Sequence, residues 1–161
     1  MSKREIAQLG NEVLRQAAKI VDVIDSDEIQ QVIQDLLCTL ESTSGVGIAA
    51  PQISEARQII VLGSKPTARY PDAPNMPVTV MINPKFSILD DTLEKGWEGC
   101  LSIPSIRAKV PRYKQIKISY TNQQGAEESE VLDGFIARVF QHEYDHLQGL
   151  LYLDRVETNR D

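Results

Sequence analysis

The feature that most constrains this chain is the run His142-Glu143-Tyr144-Asp145-His146 near the end of a helical pattern. Leu132, Phe135, Ile136, Val139, Phe140 and Leu147 recur at helical spacing, Asp133 is placed to cap the start and Gly149 to end it, which predicts one amphipathic helix. At roughly 100° per residue, His142, Glu143 and His146 fall on or beside the apolar stripe, while Arg138, Gln141, Asp145 and Gln148 fall on the opposite side. A glutamate and two histidines turned toward a core are costly without partners, and a metal ion supplies them. Two histidines at i and i+4 grip one cation and leave the intervening glutamate free to act as a base on water. A helix of solvated charges or satisfied core histidines is the plain alternative. It leaves unexplained why the only two histidines of the chain fall in one inward-facing motif.

A hydrolytic metal site needs a third protein ligand and an open position. In the extended H-E-x-x-H-x-x-G-x-x-H pattern a third His follows the Gly; here Gly149 is present, but Tyr152 stands at the His position. The 15 residues after His146 leave little room for a carboxylate on a downstream helix. The third donor is therefore expected upstream, with Cys100 the best candidate. Gly99 beside it permits close approach, whereas a lone Cys is otherwise a small core residue.

A length of 161 residues predicts a single domain, 1–161, able to bury a core without disulfides. The net charge of -6 argues against nucleic acid as a direct partner. No apolar run has the length of a signal-peptide core or a membrane span, and two cysteines suit a reducing compartment, so a cytoplasmic protein is expected.

Residues 12–20 carry a short helical pattern. Asp25-Ser26-Asp27-Glu28 offers a capping box before a longer helix striped by Ile29, Val32, Ile33, Leu36, Leu37 and Leu40, which is expected to end at Ser44-Gly45. Cys38 lies opposite the stripe and is assigned no chemistry. Gly45 to Gln52 superficially matches the G-x-G-x-x-A dinucleotide fingerprint, but a helix precedes it and Pro51 interrupts, so that reading fails. Its two glycines and two alanines suggest backbone close to another group, with Gln52 as a polar group at the end. Arg57 to Gly63 and Val78 to Ile82 read as strands separated by a Pro-rich surface loop, Ser64 to Pro77. Tyr113 to Tyr120 reads as a further strand, and Asn122 to Gly125 turns the chain into another that runs to Leu132.

Three stretches together resemble the peptide deformylase family, whose motifs are G-x-G-[LI]-A-A-x-Q, E-G-C-L-S and Q-H-E-x-D-H. They stand here as GVGIAAPQ, EGCLS and QHEYDH, in the family's order, and the resemblance runs from the first helix to about Leu153. It implies an α+β fold in which antiparallel β-sheets wrap a central HExxH-bearing helix, with N-terminal helices. It also implies a metal-dependent hydrolase that removes the N-formyl group from the initiator methionine of nascent polypeptides, releasing formate. By motif position, Cys100, His142 and His146 would be metal ligands and Glu143 the general base and acid. Gln52 and the backbone N–H of Leu101 would face the oxyanion, and Val46, Gly47 and Gly99 would pair with the substrate backbone. Val46, Phe135 and Val139 are expected to receive the methionine side chain, and Arg107 to contact the peptide beyond it. Two imidazoles and a thiolate suit zinc, iron or nickel. The resemblance points to Fe2+, with Zn2+, Ni2+ or Co2+ able to occupy the same site. Expected partners are N-formylmethionyl peptides at the ribosome, with no nucleic acid, no membrane, and the protein a monomer. A zinc endopeptidase or a non-catalytic metal-binding protein fits less well, given Cys100, Glu143 and Gln52.

Overall fold

The computed structural model describes residues 2–68 and 70–161. Five strands, β1 (Gly47–Ala49), β2 (Ile59–Ser64), β3 (Met76–Cys100), β4 (Ile103–Thr121) and β5 (Glu127–Asp133), form one antiparallel sheet in sequential order. In β2, Ile59, Ile60, Val61 and Leu62 are all fully buried, because alternate side chains enter different cores. Ile60 and Leu62 join Met81, Ile116, Ile118 and Phe140, while Ile59 and Val61 join Ile33, Leu36, Val80 and Ile82. A strand covered on both faces reads as a continuous apolar run.

Helix α1 (Asp27–Glu41) covers one face of β2 and β3. Ser26 caps it, its side chain accepting from the backbone N–H of Ile29, and its expected stripe is buried apart from the half-buried Leu37. It ends at Glu41, a few residues before the expected Ser44-Gly45. The helical pattern over residues 12–20 yields only one 3-10 turn, Glu12–Arg15; beyond it Lys19 bridges to Arg57 in extended backbone. Of that stretch only Leu14 and Ala18 are buried, which is too little apolar contact to hold a full helix against the rest of the chain. The expected 64–77 surface loop is present up to β3, with Arg69 outside the described residues.

Helix α2 (Gly134–Leu147) carries the motif and packs against the sheet, with Ala137, Val139, Phe140 and Leu147 in the same core as Ile60, Leu62 and Ile116. Asp133 occupies the N-cap position without a side-chain cap bond, and Gly149 adopts φ +76 just past the C-cap. The side opposite the apolar stripe does not face water as an amphipathic helix would. Gln141 and Asp145 are buried there, because the β3–β4 hairpin wraps round it. Gln141 exchanges hydrogen bonds with both backbone groups of Tyr113 at 2.9 Å, satisfying a buried amide with a strand.

That hairpin is the main departure from the sequence-based expectation. The strand expected over Val78 to Ile82 continues to Cys100, and β4 starts ten residues before the expected Tyr113. Register shifts after Ile82, Ile88 and Asp90 break the period of two, and Lys85, Asp90, Asp91 and Glu94 lie on a stretch with few buried side chains. The hairpin closes with the two-residue turn Leu101-Ser102 between the paired Cys100 and Ile103.

Candidate active site

The motif helix, the hairpin turn and a short 3-10 turn (Ala50–Ile53) meet at one cavity of about 500 Å³. Val46, Gly47, Gln52, Gly99, Cys100, Leu101, Arg107, Phe135, Val139, His142 and Glu143 all line it. The remaining expected site residue, His146, has its Nε2 3.5 Å from Cys100 Sγ. One potential ligand atom from each of Cys100, His142 and His146 lies within 4.8 Å of the others. Helical spacing brings the two imidazoles together, with ring centroids 5.3 Å apart, and the end of β3 delivers the thiol from 42 residues upstream of His142.

The donor set fits a divalent ion on two independent grounds. Two nitrogens and one sulfur make a soft to borderline set that leaves a position open for substrate or water. Glu143 Oε1 is buried beside that set without a hydrogen-bond partner, which costs about 1–3 kcal/mol in a site with nothing further to hold. Burial pushes the Glu143 carboxyl up to about 7 against the opposing pull of His142, placing it where a proton can be taken and returned. Gly47 explains how Glu143 fits. A Cβ at Gly47 would meet Glu143 Oε2 at 2.7 Å and Cγ at 3.0 Å, so only glycine lets β1 pass this closely.

Gln52 is fixed at both ends of its amide. Its Oε1 accepts from Ala49 N at 2.9 Å, and its Nε2 donates to Ser102 Oγ at 3.1 Å and faces Cys100 Sγ at 3.6 Å. Pro51 stands at the start of the 3-10 turn, where its fixed φ suits the helical backbone and its missing N–H costs no bond. Leu101 follows Cys100 directly in the hairpin turn, so its backbone N–H lies beside the thiol. At the mouth, Tyr70 packs on Phe135 at 5.0 Å and its hydroxyl accepts from Arg107 Nη2 at 2.8 Å.

Sequence reasoning missed the charged cluster that supports the histidines. Glu98, 5% exposed, accepts from His142 Nδ1 at 2.9 Å, from Arg112 Nε and Nη2 at 2.9 and 2.8 Å, and from Arg138 Nη1 at 2.8 Å. Burial pushes its carboxyl up, but the Arg112 and His142 bonds prevail and hold it at about 2. Because that carboxylate only accepts, His142 Nδ1 carries a proton, which leaves Nε2 as the nitrogen available to an ion. Asp145 accepts from Arg112 Nη1 at 2.6 Å and from Arg155 Nη2 at 3.0 Å. One signal was available: Glu98 stands two residues before Cys100, the spacing that puts side chains on one face of a strand. Arg112 and Arg138 had none. Tyr152 supplies no ligand, yet its buried ring stacks on His142 with centroids 5.8 Å apart, so that position still faces the site.

An inward His-Glu-x-x-His with a thiol brought to it by a hairpin defines a metallohydrolase type of site. The chain matches the profile of polypeptide deformylase over residues 3–161. It is 48% identical over 154 residues to peptide deformylase 2 of Nostoc sp., covering 96% of this chain and 86% of that one. The class I type b peptide deformylase of Acinetobacter baumannii, solved with Met-Ala-Ser bound, is 37% identical with a TM-score of 0.93, covering 96% of this chain and 99% of that one. A peptide deformylase from Synechococcus elongatus, in complex with actinonin, is 41% identical with a TM-score of 0.86, covering 98% and 80%. The chain belongs to the polypeptide deformylase family. Enzymes of this family remove the N-formyl group from an N-terminal formylmethionine, and that hydrolysis is the reaction of this chain.

Proposed function

We propose that residues 1–161 form one catalytic domain in which Cys100, His142 and His146 hold a divalent ion and Glu143 moves the proton of the deformylation. The observation that carries this reading is the convergence of three donor atoms within 4.8 Å beside a buried, unpartnered Glu143 Oε1. When bound, the ion supplies Lewis acidity that brings the pKa of water from ~15.7 toward neutrality. Glu143 takes the proton of the attacking water on Oε1 and returns it to the departing α-amine. Gln52 Nε2 and Leu101 N–H receive the charge that develops on the formyl oxygen. Each such donor is worth on the order of 10² to 10³ in rate when held in place beforehand.

Val46, Gly47 and Gly99 offer backbone groups to the extended substrate. Phe135, Val139 and Val46 make the apolar wall for the methionine side chain, and Arg107 at the mouth meets the peptide beyond it. The resident ion is Fe2+; Zn2+, Ni2+ or Co2+ occupy the same ligands. The substrates are N-formylmethionyl nascent peptides at the ribosome, met in the cytoplasm by a monomer. The two free cysteines suit a reducing compartment, and among the described residues no helix is long and apolar enough to cross a membrane.

Glu143→Gln separates the base from the ligands. The variant should bind one ion per chain like the wild type and lose most formate release from formyl-Met-Ala-Ser. Equal turnover in the two proteins would remove Glu143 from the proton transfer.

A further inference from the structure

Residues 2–9 form no helix or strand, yet they are tied to both segments that deliver the oxyanion donors. Ala7 N–H donates to the backbone oxygen of Gln52 itself at 2.7 Å. Arg4 Nη2 donates to the next carbonyl, Ile53 O, at 3.0 Å, so the end of the 3-10 turn bearing Gln52 is held at two successive oxygens. Leu9 N–H donates to Ser102 O at 2.9 Å and Gln8 Nε2 to Leu101 O at 3.3 Å, which holds the hairpin turn in the same way.

The strap is anchored at its far end as well. Ser2 N and Arg4 Nη1 reach the two oxygens of Asp35 on α1 at 2.9 and 3.2 Å, and Arg4 N donates to Thr39 Oγ1 at 2.8 Å. Ala7 is buried in the small core that includes Ile103, Val110 and Tyr152 and packs against Cys100. One extended segment therefore links α1, the Gln52 turn and the Leu101-Ser102 turn, which the chain separates by about fifty residues.

We propose that residues 2–9 are a positioning strap that sets the separation of Gln52 Nε2 and Leu101 N–H. The strap touches neither substrate nor ion. It acts through Gln52 on one side and through the hairpin turn on the other. Two donors carried on short turns from distant parts of the chain stay in register only if their backbones are fixed to a common support. A misplacement of about 1 Å is enough to lose up to 10² in rate. This inference rests on the deformylase reading above.

The test is a double-mutant cycle on the metal-loaded full-length chain. Ala7→Pro removes the N–H that donates to Gln52 O. It should lower kcat for formyl-Met-Ala-Ser about tenfold, with KM changed by less than about twofold and one ion still bound per chain. In a Gln52→Leu background the same substitution should change kcat by less than about twofold, because the group it positions is gone. Arg4→Gln, which releases Ile53 O without constraining the backbone, should repeat the pattern and serves if Ala7→Pro does not fold. Equal fold-losses with and without Gln52 would overturn the strap and leave a purely structural segment. A wild-type protein that releases no formate would instead overturn the deformylase reading itself.

Discussion

Glu98 accepts the Nδ1–H of His142 at 2.9 Å, and the same carboxylate is gripped by Arg112 through two further bonds. The orientation of one imidazole in the site is thus set by a buried charge pair on the hairpin that wraps α2. Glu98→Gln should weaken metal binding on the order of 10- to 100-fold, read by competition with a chelator. It should also destabilise the fold by about 3–5 kcal/mol, read by urea denaturation, because Arg112 and Arg138 lose a buried partner. Unchanged affinity would show that His142 is held by packing on Tyr152 alone.

Gly47→Ala tests how closely β1 passes Glu143. The added methyl group must displace the carboxylate, since its ideal position lies 2.7 Å from Oε2. Formate release should fall by about 10² or more, while metal content and the unfolding midpoint stay near wild type. A variant with normal turnover would place the working carboxylate position elsewhere.

Stability toward acid gives a prediction remote from the chemistry. Burial pushes the Asp35 carboxyl up, but bonds from Ser2 N–H, Gln31 and Arg4 prevail and hold it below its ordinary value. A carboxylate depressed in the folded state stabilises the fold above its unfolded pKa of ~3.9, and that contribution is lost as pH falls through the folded value. Asp35→Asn should therefore be less stable than wild type at pH 7, and the gap should narrow at pH 3. An equal gap at both pH values would mean that Asp35 acts through shape and not charge.

The motif helix and α1 are legible in the sequence because their side chains bury one face of a regular period. The 45–52, 98–102 and 141–146 stretches are legible as a set because each carries a group whose chemistry completes the others. The long hairpin is not legible. Between Lys85 and Trp97 nearly every side chain is exposed, so no core-facing period exists to be read, and two register shifts within that span would scramble one. Asp145 and Gln141 misled for a related reason. Helical geometry places them away from the apolar stripe, and only the wrapped hairpin turns that side into a second buried face with Arg112 and Tyr113 as partners.

Removal of the metal should abolish formate release and lower the unfolding temperature, since binding to the native state alone adds stability by mass action. Reloading without oxygen should restore most activity with Fe2+, and exposure to air should then destroy it as the iron or Cys100 oxidises. Ni2+ or Co2+ should give a stable active protein and Zn2+ a slower one. An air-stable zinc form matching anaerobic iron would overturn the assignment of Fe2+.

The most direct measurement counts products. Iron-loaded protein, kept without oxygen, is given formyl-Met-Ala-Ser and, separately, acetyl-Met-Ala-Ser, and both released acid and new α-amine are quantified. The account predicts one formate for every new α-amine from the formyl peptide, with the Met-Ala-Ser backbone intact, and no reaction with the larger acetyl cap. Cleavage at an internal peptide bond without formate, or equal turnover of the two caps, would contradict it.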